Sequence, residues 1–390
     1  MAKKISIRIK GDKSLWALMI LLSLISLVFV YSSSSRNAAM EGTTTFMLMV
    51  KQMRFIILGL ACVYVFHLIP LGLYRKLAYV GYFLGLGLLV YTSLAGTRLN
   101  EGSRWISLMG VSLQPSEFAK VALVLFVAKV IEEDKLQTFK AFMGRLFAPV
   151  GLYLLVILWE GFSTGTILGI TILGMLLVSP VKFGYIARGV GIAFGVCVLL
   201  LVVNHFVPLN SRLETVESRI VQFVTPDHQR MESDQELYSK VAVATGSLTG
   251  KLPGNGMLRH VLPLSNSDYI YSVIVEETGM AGGIVIIVFY LWLLYSAITL
   301  ARECNKTFSA LLVGGLGMLI TTQAFVHIGV NVGLLPVTGQ TLPLISSGGS
   351  SVVAVSISFG MMLSVSRALQ DERLYTLESL ELTKEEDNVQ

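Results

Sequence analysis

Charge is scarce in this chain. Of its 390 residues only 14% are Asp, Glu, Lys or Arg, against roughly a quarter in an ordinary soluble domain, and that excludes a domain that wraps a core in polar surface. Cysteine is scarcer still. Cys62 and Cys197 fall within apolar runs and Cys304 stands beside a turn. With no CxxC spacing they support neither a disulfide framework nor a thiolate metal centre. The sequence has no short-period repeat. Its basic residues sit at the ends of apolar runs, so the net charge of +5 carries no nucleic-acid role. What is abundant is apolar: 54% hydrophobic residues and a mean hydropathy of +0.70 define a polytopic membrane protein.

Apolar stretches of about 20 residues match the thickness of a bilayer core. Ten are expected, at 15–32, 55–73, 77–94, 116–132, 146–160, 165–180, 187–206, 270–301, 308–334 and 350–367. They are continuous rather than alternating, which predicts an all-α bundle and not a barrel. Lys3, Lys4, Arg8, Lys10 and Lys13 lead the first run, and every second connection repeats the bias: Arg75 and Lys76; Lys135, Lys140 and Arg145; Lys182 and Arg188; Arg302 and Lys306. Cytoplasmic loops carry such an excess, so both termini are expected in the cytoplasm. The first run is too long for a signal-peptide core and is expected to stay as an anchor. The expected organisation is a basic leader over 1–14, a membrane domain over 15–367 with one large outer loop at 207–269, and a cytoplasmic tail over 368–390 with a disordered end.

The most informative stretch is RHVLPLSNSDYIYSVIVEETG, residues 259–279, where Asp268 stands at the threshold of a long apolar run. Two readings fit it: a functional carboxylate at the membrane boundary, or an N-cap supplied by Ser267 or Asp268. Glu117 and Lys120, three apart, share a helix face and can neutralise one another as a packing pair. Gln323, His327 and Asn331 line one face at i, i+4 and i+8, as glue between helices or as the wall of a cavity. Adjacent Glu276 and Glu277, two turns into a span, suggest the cavity, whereas Glu160 is expected to snorkel to the outer interface.

RWISLMGVSLQPSEFAK, SRIVQFVTP, ATGSLTGK with PGNG, the Asp268 segment and NVGLLPVTGQTLPLISSGGSS occur in that order. Together they resemble the SEDS family, the shape, elongation, division and sporulation proteins. VYSSSS and TFMLMVKQMRF look more like the FtsW branch, and GLLPVTG like the RodA branch. The resemblance implies a multi-pass glycosyltransferase of the bacterial inner membrane. Such an enzyme polymerises lipid II into peptidoglycan strands beside a class B penicillin-binding protein and other division or elongation proteins. LPLSNSDYIY is similar to the family's LPEAHTDFIF, so Asp268 matches the catalytic aspartate. Leu264, Asn266 and Ser267 replace Glu, His and Thr, while Ser163 and Ser347 stand where Asp and Tyr are common.

A β-1,4 link formed from an α-linked sugar diphospholipid requires inversion, so one base must deprotonate the acceptor hydroxyl opposite the leaving group. The departing diphosphate gains charge, to be met by cations. Arg104, Lys120, Arg219, Lys251 and Arg259 are the outer-side candidates, with Glu117, Glu276, Glu277, Gln340 and Ser350 completing the expected substrate-binding set. No protein metal site is expected, and a Mg2+ or Mn2+ ion would be held mainly by substrate phosphates. The rival functions are a lipid II flippase, which needs polar groups reaching both faces and repeat symmetry, and an inactive division scaffold.

Overall fold

The computed structural model describes residues 10–95, 97–99, 102–108, 111–133, 135–206, 234–257, 261 and 265–389. Seven helices are long and apolar enough to cross a membrane: α1 (Lys13–Ser33), α3 (Thr45–Leu68), α4 (Leu71–Ala95), α6 (Phe139–Glu160), α10 (Ile270–Glu303), α11 (Thr307–Asn331) and α12 (Gly349–Val389). Shorter apolar helices are α7 (Phe162–Val178) and α8 (Phe183–Phe206). Helix α5 (Pro115–Glu132) completes ten and carries the charges Glu117, Lys120, Lys129 and Glu132. Each expected run overlaps one of these helices, although 55–73 crosses the break at residues 69–70 between α3 and α4, and α3 begins ten residues earlier than expected. The small helices α2 (Ser35–Met40) and α9 (Asp234–Thr245) stand outside the apolar set.

Helix α11 is buried on nearly every side, packed against α5, α7, α10 and α12. An all-round apolar helix is the natural centre of such a bundle. Alongside it α3 lies on α12, and their approach depends on Gly360, where a Cβ would come within 2.9 Å of the Val63 carbonyl. Lys10 pairs with Asp371 at 2.7 Å and Gln370 accepts from the Gly11 amide. Residues 10–11, before α1, and 370–371, in the later part of α12, thus meet on one face, the terminal face. Arg75 and Glu132, paired at 2.7 Å, lie there too. Cys304, in the α10–α11 turn, has its thiol pushed up to about 11 by burial and by Glu303 and Glu372, which leaves it a poor nucleophile.

The opposite, loop face carries features that hydropathy did not reveal. Residues 97–113, expected only as a connection, form a three-stranded antiparallel sheet: β1 (Thr97–Leu99), β2 (Gly102–Leu108) and β3 (Val111–Leu113). Its strands are too short for a period-2 signal to stand out. Helix α9 lies within the large loop. The tail expected to end in disorder is helical through Val389, consistent with its Leu, Glu and Lys content.

Helix α10 is interrupted. At 34 residues it would be about 51 Å long, far more than a bilayer core needs, and Gly279 breaks it with φ 73° and ψ −177°. The segment after α9 crosses at this break: Lys251 and Leu252 donate their amides to the carbonyls of Glu276 and Glu277, and the Met280 amide donates to Ser247. Glu276 and Glu277 therefore lie two turns into α10, on the loop side of the interruption. Gly279→Ala should destabilise the protein by about 1–3 kcal/mol or more, since its Cβ would meet the Leu248 carbonyl oxygen at 2.2 Å. Thermal unfolding in detergent checks this, and an unchanged midpoint would contradict the assignment.

Candidate functional site

Asp268 is half-buried in a turn over residues 265–269 at the head of α10. The N-cap position belongs to Tyr269, one residue further on, so neither Ser267 nor Asp268 occupies it. The turn is held from three sides. From α1 and α2, Ser33 accepts from the Ser265 hydroxyl at 2.8 Å, Ser34 accepts from the Asn266 amide, and Asn37 donates to Asn266 Oδ1 at 2.6 Å. From the connection between α11 and α12, the Ser346 hydroxyl donates to the Ser267 carbonyl at 2.6 Å and the Ser347 amide to that of Asn266 at 2.8 Å. From α11, Asn331 Nδ2 donates to the Asp268 carbonyl at 3.0 Å. A Cβ on Gly339 would lie 3.6 Å from Asp268 Oδ2, so the carboxylate stands beside bare backbone of that connection.

The α11–α12 connection, residues 332–348, is non-helical backbone lodged in the bundle head. Three residues take left-handed φ: Gly333, Gly339 and Leu344. The polar stripe of α11 meets it. His327 Nδ1 lies 2.7 Å from the Gln340 carbonyl, which requires the proton on Nδ1, and Gln323 Nε2 donates to Thr341 at 3.1 Å. Tyr290 donates to Pro343, Ser26 to Ile345, and Ser163 to Thr338. Gln52, between exposed Lys51 and Arg54 on α3, donates to Ser26 Oγ at 2.9 Å and to Ser346 at 3.4 Å. The stripe thus fixes backbone, and that explains its spacing better than a cavity wall.

Several expected substrate contacts are occupied within the protein. Lys120 is sealed in the bundle, bonded to Glu117 at 2.9 Å and to Gln323 Oε1 at 2.7 Å. It is not the open outer-side cation expected, because a buried ammonium needs a counter-charge and Glu117 supplies it. Glu276 Oε1 accepts from Lys251 at 2.8 Å and from the Met257 amide at 2.9 Å, while Glu277 accepts from Ser32. These carboxylates anchor the 246–257 segment to α10 and α1 instead of opening a cavity. Gln340 donates to Thr164 at 3.0 Å, and Ser350 accepts the Gln114 amide at 3.0 Å where α5 begins. Glu160 does not snorkel; it is buried and accepts from Thr92 of α4. Arg104 lies on β2 with its side chain outside the described residues, as are Arg219, Arg259 and Leu264 altogether. Sequence reasoning passed over Lys51, Arg54, Gln52, Ser34 and Asn37. The signal was available in KQMR, a polar cluster at the head of a span. Among the described residues no cluster of three or more His, Cys, Asp or Glu side chains could hold a metal ion.

The architecture defines the class first: a multi-pass α-helical membrane protein whose Asp268 is carried on loop backbone fixed at one end of the bundle. The family model described as Cell cycle protein, covering FtsW, RodA and SpoVE, matches residues 12–371, and the chain belongs to that family. It is 31% identical over 355 residues, 88% of this chain and 87% of the relative, to "Probable peptidoglycan glycosyltransferase FtsW" of Dichelobacter nodosus (strain VCS1703A). With the protein of the same name from Geobacter sp. (strain M18) it shares 32% identity over 93% of this chain and 99% of the relative. With "Peptidoglycan glycosyltransferase MrdB" of Escherichia coli (strain K12) it shares 28% over 89% and 92%. Among solved structures, a chain described under "Structural coordination of polymerization and crosslinking by a peptidoglycan synthase complex" superposes with a TM-score of 0.75 at 23% identity, covering 92% of this chain and 98% of that one. The rod shape determining protein RodA of Thermus thermophilus gives 0.67 at 21%, covering 92% and 97%. These two share the fold.

The buried pair generates a test. Lys120→Met leaves Glu117 charged and unpartnered, so it should cost about 3–5 kcal/mol and lower the amount of folded protein. The double variant Glu117→Gln/Lys120→Met should regain most of that in thermal unfolding. A double variant no more stable than Lys120→Met would show that the pair is not what stabilises α5 against α11.

Proposed function

We propose that this chain is a peptidoglycan glycosyltransferase that polymerises lipid II into β-1,4-linked glycan strands by an inverting mechanism, with Asp268 as general base. Two supports meet in this reading. The observation that carries it is a carboxylate held half-buried on a turn whose backbone is fixed from three directions, at the face where non-helical segments gather. The names of the relatives supply the reaction class.

Asp268 takes the proton of the acceptor sugar hydroxyl as its oxygen attacks the anomeric carbon of the donor. The bond from that carbon to the diphosphate oxygen breaks on the opposite face, and undecaprenyl diphosphate leaves with the bonding pair. Charge grows on the diphosphate. Lys51 and Arg54, exposed on α3 one residue before and two residues after Gln52, are candidate cations among the described residues to meet it. Because the described residues offer no protein cage for a metal, any Mg2+ or Mn2+ would ride on the substrate diphosphate, and no step here runs through it.

The chain works in the bacterial inner membrane with the loop face outside and both termini in the cytoplasm. The concentration of Arg75, Lys129, Lys182, Arg302 and Arg367 towards the terminal face supports that sidedness. Its partner is a class B penicillin-binding protein that crosslinks the strands it makes. The relatives named FtsW favour a septal role in division over lateral-wall elongation.

Asp268→Ala and Asp268→Asn should abolish polymerisation of purified lipid II, a loss of about 10²–10⁴-fold or more, assayed with and without the cognate penicillin-binding protein. Thermal stability should stay near wild type, because the turn is held through backbone and neighbouring side chains. Polymer of normal length made at a normal rate by either variant removes Asp268 from the mechanism.

A further inference from the structure

The geometry points to Asn331 as the positioning residue of the Asp268 turn, acting as a helix cap supplied from a neighbouring helix. This rests on the reading of Asp268 as the base. The N-cap residue of helix α10 is Tyr269, whose side chain makes no capping bond. The missing acceptor comes from α11. Asn331 Oδ1 accepts the Ser272 amide, third in the first turn of α10, at 3.1 Å, and the Ser272 hydroxyl at 2.8 Å. Its Nδ2 donates to the Asp268 carbonyl at 3.0 Å and to the His327 carbonyl, one turn back on its own helix, at 2.9 Å.

Those four bonds exhaust what a primary amide can make, two as donor and two as acceptor. They also fix its orientation, since a backbone amide can only donate and a carbonyl can only accept. Asn331 is fully buried. One side chain thus grips the chain at the Asp268 carbonyl and again four residues on, at Ser272 in the first turn of α10. The role is therefore in orientation of the base: its loss should lower kcat and leave KM for lipid II nearly unchanged.

Asn331→Leu removes all four bonds at similar volume. Asn331→Asp keeps the outline and both acceptor contacts, and replaces the Nδ2 that donates to the Asp268 and His327 carbonyls. Ser239→Ala is the control. It deletes buried contacts to the Asn331 backbone carbonyl at 3.0 Å and to the Ser272 hydroxyl at 2.6 Å, while all four bonds of the Asn331 side chain stay in place. Kinetics of lipid II polymerisation by folded, monodisperse protein should show kcat reduced about 10–100-fold in both Asn331 variants, with KM and the Ser239→Ala kcat within about twofold of wild type. Amide exchange should quicken over residues 265–273 and not over 280–303. Should Asn331→Leu fail to accumulate, Asn331→Asp decides alone. Wild-type kcat in Asn331→Asp while Asp268→Asn is inactive would overturn the positioning role and leave the proposed function standing. An equal kcat loss in Ser239→Ala would overturn it as general packing. An active Asp268→Asn would remove the base and this role with it.

Discussion

Backbone that is not helical cannot stay at the head of an apolar bundle unless protein groups take up its hydrogen bonds, and this structure is arranged around that constraint. Among the described segments that break the helical rule are the 265–269 turn and the 332–348 connection. Each is satisfied by side chains projecting from helices. Ser26 and Gln52 reach the connection from α1 and α3, His327 and Gln323 reach it from α11, and Asn331 holds the turn. The two segments then bond to each other through Ser346 and Ser347. The buried polar residues of the bundle head are consequently not scattered exceptions to its apolar character. They are the partners its irregular backbone needs.

The same constraint serves the chemistry proposed. A base that must receive a proton along one line works best when it need not be reorganised during the reaction, and a turn fixed from three helices provides that. The charges divide by task. Glu117 and Lys120 neutralise each other inside the bundle and hold α5 near Gln323; Glu276 and Glu277 tie the 246–257 segment down. Under the proposed function Asp268 meets the sugar hydroxyl and Lys51 and Arg54 are candidate cations for the diphosphate, where both lipid tails of the substrates can remain in the membrane.

Much of this was legible in the sequence, and the rest failed for identifiable reasons. The ten spans follow from length and hydropathy, because desolvating a backbone in lipid leaves only the helix. The face shared by Gln323, His327 and Asn331 follows from their spacing, but spacing names a face and not its partner, and Thr341, Gln340 and Asp268 lie 13 to 63 residues away or on a different segment. The break at Gly279 hid inside ETGMAGG, where hydropathy averages over a glycine that only its φ of 73° distinguishes. Glu276 and Glu277 stand just before it, where the 246–257 segment crosses. Glu160 was read as a surface group because its partner, Thr92, comes from another helix. Asp268 itself was singled out by its place before an apolar run and by the family resemblance. The contacts that hold it come from Ser33, Ser34 and Asn37, at the end of a serine run whose purpose no single sequence displays.

The central claim is that chemistry occurs at the loop face, on substrate already there. It is tested most directly in proteoliposomes with lipid II confined to the leaflet that the loop face addresses. Wild-type protein with its penicillin-binding partner should make glycan polymer from that pool. Asp268→Asn should make none, and both should scramble lipid headgroups no faster than empty vesicles. Accelerated headgroup translocation by wild-type protein, with no polymer formed, would contradict the account and assign the chain to transport.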